Sequence, residues 1–255
     1  MTLVFTTVTE AKVVSKMTPQ LIGIGICIGL AFVYVSSLYV WELMDGGIKA
    51  LGRDHPDVIL RRSISVTASV GISWFVTERV TGGRISLPSF EWSHIFITVL
   101  QTGCLMLGPI VHVVVSDYTL TRDPWIIFRN IVISPIAEEI VFRECFVRLL
   151  RNSSFSEYQA GLVSPLLFAL AHMHHNWNKF TIPQLVMSVV HTCIFGWIAS
   201  YFLITRSVWD SIVSHAMCNA IGLPNARVSN ATFVFGVYIA GLLIFIFSAT
   251  RMYGI

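Results

Sequence analysis

Long apolar stretches alternate with short polar ones along the whole 255-residue chain. Four windows contain no Asp, Glu, Lys or Arg: 17–41, 92–116, 180–205 and 228–250. Each is long enough for the roughly 20 residues that a helix needs to cross the hydrocarbon core of a bilayer. The windows lack the strict alternation of barrel strands, and a segment in lipid must satisfy its backbone polar groups internally. The pattern therefore predicts membrane-spanning α-helices.

Four further segments are apolar but shorter, or are interrupted by charged residues: 63–77, 125–150, 158–172 and 207–222. Together with the four windows, they predict an all-α, polytopic transmembrane bundle of about eight helices. We expect a single domain that covers residues 1–255. The uncharged helices are expected to face lipid and to enclose the polar ones around an intramembrane polar cavity.

The overall composition agrees with a membrane protein. Hydrophobic residues make up 55% of the chain and charged residues only 12%, whereas soluble domains carry about a quarter charged residues. The net charge of +3 is spread over the loops and forms no basic stripe. The lipid bilayer is therefore an expected partner, and nucleic acid is not.

The charged residues of segment 125–150 include two adjacent carboxylates, Glu138 and Glu139, followed by Arg143. A charge in the middle of a membrane helix costs several kcal/mol, so such residues tend to serve a function. On a helix, Glu139 and Arg143 are four residues apart and can pair. Glu138 points about 100° away and stays available, for example as a general base. The alternative is that these residues, with Arg148, form a solvated edge of an interfacial helix.

Two other clusters carry polar side chains that suit catalysis. His172 ends the apolar run of segment 158–172, and His174 and His175 are expected to lie in the following loop. A histidine at a helix end can also act only as a cap or a surface residue. His215 and Asn219 are four residues apart, so they share a helix face and could both donate hydrogen bonds to an oxyanion. Alternatively, they form a hydrogen bond between helices of the bundle.

Together the three clusters resemble the type II CAAX prenyl endopeptidases, which belong to the CPBP (Abi) family of membrane proteases. The matching sequences are EEIVFR at 138–143, FALAH at 168–172 and HAMCN at 215–219. Their order and spacing agree with the family pattern over about residues 125–224. One departure is Glu144, where many bacterial relatives have glycine.

The resemblance implies roles for the catalytic residues. Glu138 and His172 would activate the water that attacks the scissile carbonyl, as in a glutamate-type endopeptidase. His215 and Asn219 would stabilise the oxyanion. The resemblance implies no metal and no other cofactor.

It also implies roles for four neighbouring residues. Glu139 would support the site, oriented by Arg143. Phe168 and Phe142 would contribute to substrate binding through an apolar wall.

The resemblance further implies a substrate and a location. The substrates would be farnesylated or geranylgeranylated CAAX proteins, such as Ras-like small GTPases, from which the enzyme removes the aaX tripeptide. The protein would be integral to the endoplasmic reticulum membrane, with its active site facing the cytosol.

Three alternatives stay open at this point. Glu138, His172 and His215 could instead hold a catalytic zinc ion, since two histidines and one glutamate form a known zinc ligand set. The chain could also be a non-enzymatic membrane scaffold that retains the polar cluster for structural reasons. Finally, a relative with these motifs could cleave a different membrane peptide, because the motifs do not encode the substrate.

Overall fold

The computed structural model describes residues 2–115, 123–173, 180–222 and 231–253, and every regular element within these ranges is helical. The part before residue 116 contains α1 (Thr2–Ser37), α2 (Val40–Met44), α3 (Gly46–Leu51), α4 (Pro56–Thr81), α5 (Trp92–Leu105) and α6 (Leu107–Val115). Residues 124–152 form α7 (Pro124–Ile127), π1 (Phe128–Ile133), α8 (Ser134–Glu138), π2 (Glu139–Cys145) and α9 (Phe146–Asn152). The remaining helices are α10 (Glu157–His172), α11 (Ile182–Thr205), α12 (Val208–Ile221) and α13 (Ala231–Tyr253).

Residues 124–152 are helical without a break, and we call this run the central helix. Two of its segments, π1 and π2, have wider π-helical turns. The N–H of Ser134 donates to the carbonyl oxygen of Arg129, five residues earlier. Pro135 follows directly, and its ring excludes the regular hydrogen bond to residue 131, which favours the wider turn. Such π-helical turns occur often at functional sites.

The other interrupted segments are helical, as the sequence predicts. Segment 63–77 lies within the longer α4, which begins with Pro56 in its first turn and ends at Gly82 in the left-handed conformation. Proline at the start and glycine after the end are the usual boundaries of a helix. Segments 158–172 and 207–222 correspond to α10 and α12.

Two helices of the described residues are long and apolar enough to cross a membrane, namely the Thr18–Ser37 part of α1 and α11. They fall within two of the four uncharged windows. Helix α13, which overlaps the window 228–250, carries a shorter apolar stretch, Phe235–Arg251. By length and composition, these findings fit an integral membrane protein.

The window 92–116 is not one straight helix, contrary to the prediction from its length. Helices α5 and α6 meet at Met106 with a bend of 61°. Pro109 lies in the first turn of α6, where a missing N–H is tolerated, but it could not continue α5 without loss of a hydrogen bond. As a bent pair, α5 and α6 count as at most one further candidate span.

The central helix lies in the middle of the hydrophobic core. Its residues Val141, Phe142, Phe146, Leu149 and Leu150 have no exposed surface. Helices α4, α10, α11 and α12 pack against π2, and α1 packs against α9. The glutamates and the arginine of the first motif are therefore enclosed by other helices.

Candidate active site

Glu139 and Arg143 form an ion pair that is completely buried. The distance between Glu139 Oε2 and Arg143 Nε is 3.2 Å, and neither side chain has exposed surface. The guanidinium carbon of Arg143 lies 4.1 Å from the ring centre of Phe168 and 6.0 Å from that of Phe195. No nitrogen of Arg143 makes a well-aligned hydrogen bond to a described residue. The charge of Glu139 and the faces of the Phe168 and Phe195 rings hold the guanidinium instead. The interpretation as a solvated helix edge is therefore wrong for this pair.

Glu139 also contacts α12 through two hydrogen bonds. Ser211 Oγ donates to Glu139 Oε2 at 2.6 Å, and His215 Nδ1 lies 2.7 Å from Glu139 Oε1. Glu139 thus connects Arg143 of its own helix with two residues of α12. Ser211 was not among the predicted site residues, although it lies one helical turn before His215.

Glu138 faces the ring nitrogens of two histidines. Its Oε2 lies 3.7 Å from His172 Nε2 and 3.8 Å from His215 Nε2. These distances are longer than direct hydrogen bonds. They leave space for a small polar group, such as water, to bridge the carboxylate and the imidazoles.

Both histidines are oriented through the other ring nitrogen, Nδ1. His172 Nδ1 lies 3.1 Å from the carbonyl oxygen of Phe168, and His215 Nδ1 contacts the carboxylate of Glu139. Because a carbonyl oxygen and a carboxylate only accept, Nδ1 carries the hydrogen in each ring. In the neutral form of each ring, the Nε2 lone pair therefore faces Glu138.

Asn219 makes a hydrogen bond to the central helix. Its Nδ2 donates to the carbonyl oxygen of Asn130 at 2.9 Å. This is a hydrogen bond between helices, the alternative to a role of Asn219 at the oxyanion. It uses one of the two N–H groups of the amide, so the second can serve another acceptor.

A cavity of about 610 Å³ joins these residues, and its size is typical of small-molecule sites. Glu138, His172, His215, Asn219 and Phe142 line this cavity. Of the other predicted site residues, Glu139 and Arg143 are buried behind it. Phe168 is buried too and does not belong to the lining; its ring centre lies 4.1 Å from that of His172.

The cavity is also lined by residues that are not among the predicted site residues. Tyr34 comes from α1, Arg53 from the loop before α4, and Arg62 from α4. Arg129 and Asn130 come from π1 of the central helix. Asn130 could have been found from sequence, since Asn130 and Glu138 are eight residues apart and share a helix face. The lining residues before residue 120 could not have been found in this way, because all three motifs lie after residue 120.

Within the described residues, no three side chains of His, Cys, Asp or Glu converge closely enough to hold a metal ion. His174 and His175 lie outside the described residues. The three side chains of the zinc hypothesis, Glu138, His172 and His215, are all described and do not form such a group in this structure.

Gly196 of α11 is needed where α11 passes the buried ion pair. A Cβ atom there would lie 2.7 Å from Pro165 Cβ and 3.3 Å from Arg143 Nη2. We expect Gly196→Ala to lower the free energy of unfolding by roughly 1–3 kcal/mol, as overpacking does. Gly71→Ala on α4 is the control, since its Cβ would meet no atom within 4 Å. Unfolding titrations in mixed micelles measure both, and equal stabilities of the two variants would contradict the expected close packing.

The chain is similar over most of its length to known proteins of one family. Residues 120–221 match the family model described as type II CAAX prenyl endopeptidase Rce1-like. The probable CAAX prenyl protease 2 of Schizosaccharomyces pombe is 30% identical over 237 residues, which cover 84% of this chain and 87% of that protein. CAAX prenyl protease 2 of Homo sapiens is 30% identical over 238 residues, 78% of this chain and 70% of that protein. No solved structure matches significantly. By this similarity over most of its length, the chain belongs to the family of type II CAAX prenyl endopeptidases.

Proposed function

We propose that this chain is a glutamate-type endopeptidase that removes the aaX tripeptide from prenylated CAAX proteins. The observation that carries the mechanism is the position of Glu138, whose carboxylate faces Nε2 of both His172 and His215. Family membership supports the substrate class, because the matched relatives are named CAAX prenyl proteases.

In the proposed reaction, a water molecule lies between Glu138 and His172. As its oxygen bonds to the carbonyl carbon of the prenylcysteine, its proton passes to Glu138 or to Nε2 of His172. The carbon–nitrogen bond then breaks, and this proton is transferred to the departing nitrogen. The remaining proton of the new carboxylic acid passes to the free amine or to solvent. The products are a prenylcysteine with a new carboxylate and a free tripeptide.

The oxyanion of the tetrahedral intermediate would be bound by His215 and Asn219. In its protonated form, His215 donates from Nε2 while Nδ1 stays on Glu139. Asn219 would use the second N–H of its amide. Arg143 and Ser211 act indirectly, since they position Glu139 and through it the ring of His215.

The fold suits a substrate that is already anchored in lipid. We propose a single-domain bundle of about eight helices, residues 1–255, around an intramembrane polar cavity. A prenyl chain in the bilayer could approach this cavity with little loss of hydrophobic burial, and Phe142 offers it an apolar wall. Ras-like small GTPases would be substrates, and the site would face the cytosol from the endoplasmic reticulum.

The test is incubation of the detergent-purified chain with a farnesylated peptide that ends in Cys-a-a-X, with products identified by mass spectrometry. We expect release of the intact tripeptide and no effect of a strong chelator on the rate. An identical peptide without the farnesyl group is the control and should react far more slowly.

Other results would change the assignment. Cleavage that stops with chelator and returns with zinc would favour the zinc mechanism. If the folded protein cleaves neither peptide, the proposed function is contradicted, and a scaffold or a protease for another peptide becomes the better description.

A further inference from the structure

Arginine and glutamate side chains line the cavity together with the two histidines. Arg53, Arg62 and Arg129 contribute three guanidinium groups, whereas Glu138 is the one carboxylate that the described residues add to the lining. The cavity therefore offers more positive charge than the proposed catalysis needs. An anionic group of the substrate is the natural counterpart.

The arginines differ in how far their charge is neutralised. Arg62 Nη2 pairs with Glu42 Oε1 at 2.6 Å. Arg53 and Arg129, by contrast, share one carboxylate oxygen, Asp54 Oδ1, at 3.3 and 2.7 Å. The hydrogen bond from Arg129 holds the pKa of Asp54 below its ordinary value, so this carboxylate is ionised at neutral pH. The two guanidinium groups of Arg53 and Arg129 therefore share one carboxylate, and the three groups together carry a net charge of +1.

Arg129 is held in place beside the cavity. Its Nε donates to Asn130 Oδ1 at 2.9 Å, and its Nη1 donates to Asp54 Oδ1 and to the carbonyl oxygen of Arg53. The side chain is 17% exposed, whereas that of Arg53 is 59% exposed. A guanidinium held in this way loses little conformational entropy when it binds a carboxylate.

The distance along the central helix matches the length of the cleaved segment. Arg129 and Glu138 are nine residues apart, which is about 13 Å at the rise of a regular α-helix and somewhat less where the wider turns of π1 lie between them. Three extended residues span about 10–11 Å. If the scissile carbonyl lies at Glu138, an extended aaX segment along the helix brings its terminal carboxylate within reach of the Arg129 side chain. Asn130, Ile133 and Ser134 line the cavity along this path.

We propose that Arg129, assisted by Arg53, binds the terminal carboxylate of the substrate and thereby sets the length of the released peptide at three residues. This inference rests on the proposed function, because it takes Glu138 as the place of bond cleavage. Arg129 is then a residue for substrate recognition. The position of the cleaved bond is defined by its distance from the C-terminus of the substrate.

The test compares two farnesylated peptides, one with a free terminal carboxylate and one with a terminal amide of nearly the same shape. With the wild-type chain, we expect kcat/KM to be roughly ten- to hundredfold higher for the acid, as for other hydrogen bonds to charged groups. In Arg129→Gln, kcat/KM for the acid should fall to the value for the amide. The value of kcat/KM for the amide should equal that of the wild-type chain. Arg151→Gln, which alters a surface arginine paired with Glu157, is the control and should keep the wild-type preference.

Each contrary result has a distinct meaning. Equal cleavage of acid and amide by the wild-type chain would overturn the carboxylate site, and this measurement needs no variant. An equal loss for both peptides in Arg129→Gln would also overturn it, since a purely structural role affects both. If the folded wild-type chain cleaves neither peptide, the proposed function fails and this proposal fails with it.

Discussion

Glu138→Gln is expected to reduce kcat for tripeptide release by roughly 10²- to 10⁴-fold, the usual contribution of a general base. Glutamine keeps the shape of the side chain but cannot take a proton from water at neutral pH. Because Glu138 has no direct hydrogen bond to His172 or His215 at 3.7 and 3.8 Å, the substitution should leave both rings in place. We therefore expect a small change in KM and in stability.

Steady-state kinetics with the farnesylated peptide measure this effect. Glu157→Gln is the matched control, because Glu157 is a partly exposed glutamate at the start of α10 that pairs with Arg151. It should retain wild-type kcat. A Glu138→Gln variant with near wild-type kcat would show that this carboxylate does not activate the water.

Arg143→Met should strongly destabilise the protein, although methionine is apolar and similar in length. The substitution leaves Glu139 without its partner charge in a site without exposed surface, and loss of one member of a buried ion pair costs about 3–5 kcal/mol. Glu139 would retain Ser211 and His215 as hydrogen-bond partners, but the balancing charge would be lost. We expect activity to fall as well, because Glu139 orients His215.

The double variant Glu139→Gln/Arg143→Met separates charge balance from packing. It removes both charges, and a buried pair replaced as a whole often costs little. We expect the double variant to have a higher free energy of unfolding than Arg143→Met alone. Unfolding titrations in mixed micelles measure this difference. If the two substitutions are simply additive, Arg143 contributes through its contacts with Phe168 and Phe195 rather than through Glu139.

The local pattern of the sequence predicted the elements and the contacts within them. Apolar windows and interrupted apolar segments located the long helices, because burial in lipid or in a core requires continuous apolar surface. The spacing of Glu139 and Arg143 predicted their ion pair, since residues four apart on a helix are neighbours. The order of the three motifs indicated the family, which the comparisons show.

Contacts between distant elements depended on the tertiary structure. Sequence spacing gave no reason to place Ser211 against Glu139, or to bring Arg53 to a cavity that Glu138 also lines. It also did not predict the bend at Met106 between α5 and α6. Helical periodicity defines only which residues share a face of one helix. Which faces meet is decided by how all the helices pack together, and this packing placed Arg129 and Glu138 along one cavity.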